Sequence, residues 1–207
     1  MDTLMDKNIE GCRLTLPDES GMTSDQKKIY EQIVSGPRKR LVGPLRAALH
    51  NPSLADKWQQ LGQVLRFEIS LPAYLKELAI IVTARRWSSE LEWVIHVNDA
   101  AQAGLNHSII NDIGECRSPD FGDDEAAARV YEFSREVTLT GQVSDEVYRS
   151  IAVRWGELGV VELTALVGYY SMVAMTLNAH RIPLPEGAKD AVVKLRQDAN
   201  VLPPLAE

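Results

Sequence analysis

Between residues 54 and 69, apolar side chains return every three or four positions, at Leu54, Trp58, Leu61, Leu65 and Ile69. That period predicts an amphipathic helix. Before it, Thr23 or Ser24 is placed to cap a helix through Ser35, with Ile29, Ile33 and Val34 on its apolar side and Gly36-Pro37 as its stop. Gly43-Pro44 opens a short turn of helix through Leu49, and Asn51-Pro52-Ser53 punctuates again. Ser70-Leu71-Pro72 restarts the chain, proline being favoured in a first helical turn, and Leu75, Leu78, Ala79 and Val82 carry the next helix to about Arg86. Ser88 or Ser89 caps a helix over 90–103, with Glu92 as a candidate capping-box partner and Gly104 as its natural end. Further helices are expected over 108–113, 125–138, 144–154, 157–178 and, modestly, 188–199, with a loop at 116–123. No segment sustains the alternation of a strand. The chain therefore reads as all-α: an extended arm over 1–22 and a single helical domain over 23–207.

Composition narrows the function. A 207-residue chain that is 45% hydrophobic and 25% charged can bury a real core. Its net charge of −7 disfavours non-specific binding to nucleic acid or an anionic membrane, either of which needs a basic face. Arg38-Lys39-Arg40 is too short to change that and reads as a solvated loop. Cys12 and Cys116 form no CxxC pair, and the acidic start lacks the apolar core of a secretory signal, so a reducing cytoplasmic setting is expected. The most apolar stretch, 160–177, contains Glu162, Gly168, Ser171 and Thr176 and reads as a buried core helix, not a membrane span.

Candidate chemistry concentrates at Glu92 and His96, four positions apart and hence on one helix face. A carboxylate beside an imidazole raises its pKa and fixes its tautomer, which suits proton transfer. Ser89 lies one turn back on roughly that face, and an antiparallel hairpin would bring Glu77 from the preceding helix toward His96. Such pairs are usually exposed ion pairs. Here Leu91, Val94, Ile95, Val97 and Ala100 make the helix apolar, and a buried charge pair needs a reason. His50, His107 and His180 sit at helix ends, where capping explains them. With no HExxH, GxGxxG or P-loop spacing, neither a metal nor a nucleotide cofactor is expected.

Residues 77–105, ELAIIVTARRWSSELEWVIHVNDAAQAGL, resemble the core of the carboxymuconolactone decarboxylase and alkyl hydroperoxidase D superfamily, in particular members in which a Glu-Trp pair precedes the histidine. The likeness extends over about 29–185 and includes ELTALVGYYSMVAMTLNAHRIPLP from Glu162 onward. It implies an alkyl hydroperoxidase D-like helical bundle assembled as a homo-oligomer, a trimer or hexamer. Peroxidase members carry Cys-x-x-Cys with a histidine four residues later and a glutamate twelve residues before. The matching positions here are Glu77, Ser89, Glu92 and His96, so the thiol cycle has no reactants at this site. What remains by resemblance is acid–base chemistry without a cofactor: decarboxylation or a related reaction of a small carboxylated or lactone compound, as in aromatic-compound catabolism. In that reading His96 delivers a proton, Glu92 orients it, Glu77 assists, and Arg85 or Arg86 grips a substrate carboxylate. Trp87 and Trp93 flank the site as pocket walls or core, and one of Tyr169 and Tyr170 reaches it. The alternatives are a thiol-independent hydrolase or isomerase of the same fold, a residual redox enzyme, opposed by the missing thiol pair, and a non-catalytic binding or scaffold protein that keeps only the fold.

Overall fold

The computed structural model describes residues 11–37, 39–41, 43–184, 195 and 200–205. The first ten residues of the arm, Arg38 of the basic cluster, and the helix expected over 188–199 (Leu195 apart) lie outside the described residues. Among those described there are eight helices and no strand. They fall into two compact units, one made of the chain up to Glu68 with Thr176–Pro183, the other of Ile69–Met175 with the segment from Leu184.

In the first unit, α1 (Ser24–Ser35) begins with a full capping box between Thr23 and Gln26. Two orphan N–H groups are thereby satisfied. α2 spans Gly43–Ala48 and α3 spans Pro52–Phe67. Asn51 caps α3 by accepting from Leu54 N, and Pro52 sits in its first turn, so the punctuation at 51–53 is itself the helix start. Ile29, Ile33, Leu45, Leu49, Ala55, Trp58 and Leu65 are buried. Leu54 and Leu61 depart from expectation: both are exposed, on a flank shared with Val64 and Phe67. The described part of the arm is tied down by Arg46 Nη2 donating to Leu16 O and His50 Nε2 to Thr15 O. His50 thus restrains the arm instead of capping a helix.

In the second unit, α4 (Ala73–Arg86) packs against α5 (Glu90–Gln102), α6 (His107–Gly114) and α7 (Glu125–Thr140). Every residue from Leu78 to Arg85 is buried. A helix apolar on all sides belongs in the middle of a bundle. Asp124 caps α7 by accepting from Ala127 N, and Gly141 ends it in the left-handed conformation at φ 75°. Tyr131 Oη donates to Pro203 O and Leu205 N to Glu132 Oε1, holding the final described residues on α7.

α8 runs Asp145–His180, its last turn belonging to the first unit. It is two helical segments meeting at Gly156, whose φ of 69° and ψ of −175° form a conformation open essentially to glycine alone. This matches the break expected between 154 and 157. α8 is long and apolar enough to cross a membrane by length and composition, yet half of its most apolar window is buried inside the protein. Glu162 accepts from Ser70 N and Ser70 Oγ, which explains a carboxylate in that apolar run.

Candidate functional site

Glu92 enters through the first turn of α5. Ser89 is the N-cap by backbone geometry, but its hydroxyl makes no capping bond and is buried without a hydrogen-bond partner. The expected capping box does not form, because the Glu92 side chain turns to His96 one helical turn on. The α5 N-terminus favours negative charge where Glu92 sits. Ser88 is forced to a φ of 47° in the tight link from α4, and its Oγ accepts from Arg85 Nη1.

His96 lies between two carboxylates. Its Nδ1 is 2.7 Å from Glu77 Oε2, across the α4–α5 hairpin, and its Nε2 is 3.3 Å from Glu92 Oε2 on its own helix. The first contact is a short charge-assisted hydrogen bond. The second is within charge–charge reach but poorly aligned, and Glu92 Oε2 is buried with no hydrogen-bond partner. His96 is 2% exposed, whereas the Glu77 side chain, 15% exposed, is the edge of the group that meets solvent. Burial pulls the imidazole pKa down, but the Glu77 hydrogen bond and the charges of Glu92 and Glu77 outweigh it and raise it to about 9. At neutral pH the group is an imidazolium between two glutamates.

Tyr170 stands edge-on to the imidazole, ring centres 5.0 Å apart, and Tyr169 stands edge-on to Tyr170. The tyrosine at the imidazole is therefore Tyr170, with Tyr169 one ring further out. Asp99, one turn beyond His96 on α5, is a neighbour that sequence reasoning missed. The spacing of three from His96 was the available signal. Donor atoms of Glu77, His96 and Asp99 lie within 4.8 Å of one another. A cation there would displace the Glu77–His96 hydrogen bond and the imidazolium proton.

The remaining candidates are engaged elsewhere. Arg85 is wholly buried, with Nε donating to Gly114 O at 2.8 Å and Nη1 to Ser88. It closes the end of α6, and this commitment replaces the expected grip on a substrate carboxylate. Arg86 lies over the Trp87 ring, and its Nε is buried without a hydrogen-bond partner. Trp87 Nε1 donates to Ser171 Oγ at 3.0 Å, joining the end of α4 to α8. Trp93 is buried against Gly114, where an added Cβ would stand 2.9 Å from Cζ2 of the indole. Glu77, Glu92, His96 and Tyr170 come together. Arg85 and Trp93 serve the packing beside them.

This is an all-helical bundle with a buried carboxylate–imidazolium–carboxylate group linking adjacent helices. No family model matches the chain, and no curated protein does. Among solved structures it is similar to an uncharacterized peroxidase-related protein from Silicibacter sp. TM1040, at 12% identity and a TM-score of 0.67 over 95% of this chain and 97% of that one. The likeness establishes the fold, and is consistent with the alkyl hydroperoxidase D-like bundle expected from the residues.

Proposed function

We propose that the protein is a cofactor-independent acid–base enzyme of the carboxymuconolactone decarboxylase-like kind, acting on a small carboxylated or lactone compound with His96 as the general acid. The observation that carries this reading is the buried imidazolium between Glu77 and Glu92. Glu77 fixes Nδ1–H, leaving Nε2–H as the proton to give. In decarboxylation the bond to the carboxylate breaks, its electron pair passes into the conjugated system, and carbon dioxide leaves. The carbanionic carbon takes the Nε2 proton, and the imidazole recovers one from solvent past the exposed edge of Glu77. Arg86 is the cation assigned to the departing carboxylate, since its Nε is unpartnered while Arg85 is spent on Gly114. Ser89 Oγ and Glu92 Oε2, buried without hydrogen-bond partners, are groups a polar substrate would satisfy. Thiol-dependent peroxide reduction is not proposed, because Ser89 and Glu92 stand where that cycle needs cysteines.

The experiment is a screen of carboxylated lactones and aromatic-catabolism acids for carbon dioxide release, by wild type and by His96→Gln of matched stability. Release that disappears in the variant supports the proposal. Release that persists in His96→Gln, or none from wild type with any candidate, sinks it.

The burial of His96 favours a second reading, a structural group that pins α4 to α5 in a protein that only binds. In that case substrate-like acids leave the His96 ring resonances unmoved, whereas in the enzymatic reading they shift them.

A further inference from the structure

α4 ends in a turn whose backbone is set by two hydrogen bonds, Ser88 N donating to Arg85 O and Ser89 N to Ala84 O. In a turn of this Schellman kind the residue at the exit takes the left-handed conformation, and glycine is its usual occupant because a Cβ is disfavoured there. This chain places Ser88 at that position, with φ 47°. What serine adds over glycine is an oxygen. Ser88 is buried, and its Oγ accepts from Arg85 Nη1 at 3.1 Å.

The same guanidinium holds a second oxygen. Arg85 Nε donates to Gly114 O at 2.8 Å, and Gly114 is the last residue of α6, whose final carbonyls have no partner within the helix. Gly114 in turn lies so close to the Trp93 indole that a Cβ on it would stand 2.9 Å from Cζ2. Trp93 belongs to α5. One planar, fork-shaped cation thus restrains α5 twice: directly at the turn that starts it, and through α6 at its Trp93 face. All of these residues lie in the second unit.

Two such points stop a helix turning about its own axis. Successive residues on α5 are about 100° apart, so the His96 side chain falls between those of Glu92 and Trp93 around the axis. Side-chain heads ride about 5–6 Å from a helix axis, and a turn of about 10° carries them about 1 Å. Along the line of the contact, that is enough to take His96 Nδ1, now 2.7 Å from Glu77 Oε2, out of hydrogen-bonding range. We infer that Arg85 is the positioning residue for His96: by holding Ser88 and Gly114 it sets the rotation of α5 that the Glu77–His96 contact requires, without itself touching substrate. The consequence for turnover rests on His96 being the general acid, as proposed above, whereas the consequence for the contact does not.

The test reads the contact itself, by NMR of the His96 Nδ1–H proton and of the ring titration, in wild type, Ser88→Ala, Arg85→Met and the double variant. Lengthening the bond to Glu77 should move the proton resonance upfield in both single variants and lower the His96 pKa by roughly half a unit or more. The double variant should go no further than Arg85→Met alone, because the hydroxyl lost at position 88 is by then already released. With any acid that wild type turns over, Arg85→Met should lower kcat by roughly tenfold or more and leave KM within about twofold. Variants that lose thermal stability while the His96 resonance and titration stay as in wild type overturn the inference, as does a double variant whose effect is the sum of the singles. Should Arg85→Met not fold, the milder Ser88→Ala decides by the same two readouts. A wild type that turns over no acid removes the catalytic reading of His96, and the resonance still decides for or against the role of Arg85.

Discussion

Glu77 and His96 belong to consecutive helices, 19 positions apart in the chain, yet their side chains meet at 2.7 Å, so one hydrogen bond fastens the α4–α5 hairpin. Because the acceptor is a carboxylate, the link is charge-assisted while the imidazole carries both protons, and weakens to an ordinary hydrogen bond from Nδ1–H once Nε2 has given up its own.

Stability should therefore fall on the alkaline side. The folded pKa of His96, about 9, lies above its ordinary value of 6.5. A raised pKa means that the folded state holds the proton more tightly than the unfolded chain. The contribution is full below about pH 6.5, declines above it, and is gone once pH passes about 9. The span corresponds to on the order of 3 kcal/mol. Denaturant unfolding of wild type at a series of pH values should show this decline, and His96→Gln should lose it. Matching curves for the two proteins would refute the assignment.

Replacing Glu77 by Gln should lower the His96 pKa and destabilise the second unit at neutral pH. Breaking a buried pair can cost ~3–5 kcal/mol when the orphaned charge persists. Here the imidazolium can shed its proton, so the loss should stop at the lower end of that range. Titration of the His96 ring by nitrogen NMR checks both halves of the claim.

Gly114 is held to a hydrogen side chain by the Trp93 ring. Gly114→Ala should destabilise by ~1–3 kcal/mol, the usual cost of overpacking, and Trp93→Leu in the same chain should recover part of it. A Gly114→Ala protein as stable as wild type would mean the ring moves aside freely.

Ser89→Ala separates two rules. An N-cap serine that bonds its helix is worth ~1 kcal/mol. The Ser89 hydroxyl makes no such bond and is buried unpartnered. Removing it should leave stability unchanged or raise it slightly, while impairing turnover if that hydroxyl meets substrate. Thermal unfolding with the activity screen decides.

Local chemistry made most helix boundaries readable. Thr23 with Gln26, Asn51 with Pro52, and Gly141 each act on atoms a few residues away, and the helices begin and end where those residues direct. The same holds for the pairing of Glu92 with His96, which the helical period alone places on one face. The failures are contacts with distant chain. Glu92 forsakes its cap because a better-charged partner lies one turn ahead. Arg85 finds the carbonyl of Gly114, 29 positions away, and no spacing rule reaches that far. Whether Tyr169 or Tyr170 meets the imidazole turns on how α8 is rotated against α5, and both are buried, so neither apolar pattern nor period could choose.

The burial of α4 from Leu78 to Arg85 has a kinetic consequence for the Glu77–His96 link it supports. Amide hydrogens on such a helix exchange with solvent only through large-scale opening. Glu77 stands one position before that stretch, so its backbone has no cheap local excursion away from α5. The backbone frame of the Glu77–His96–Glu92 group should hold until the second unit opens as a whole, and then be lost all at once.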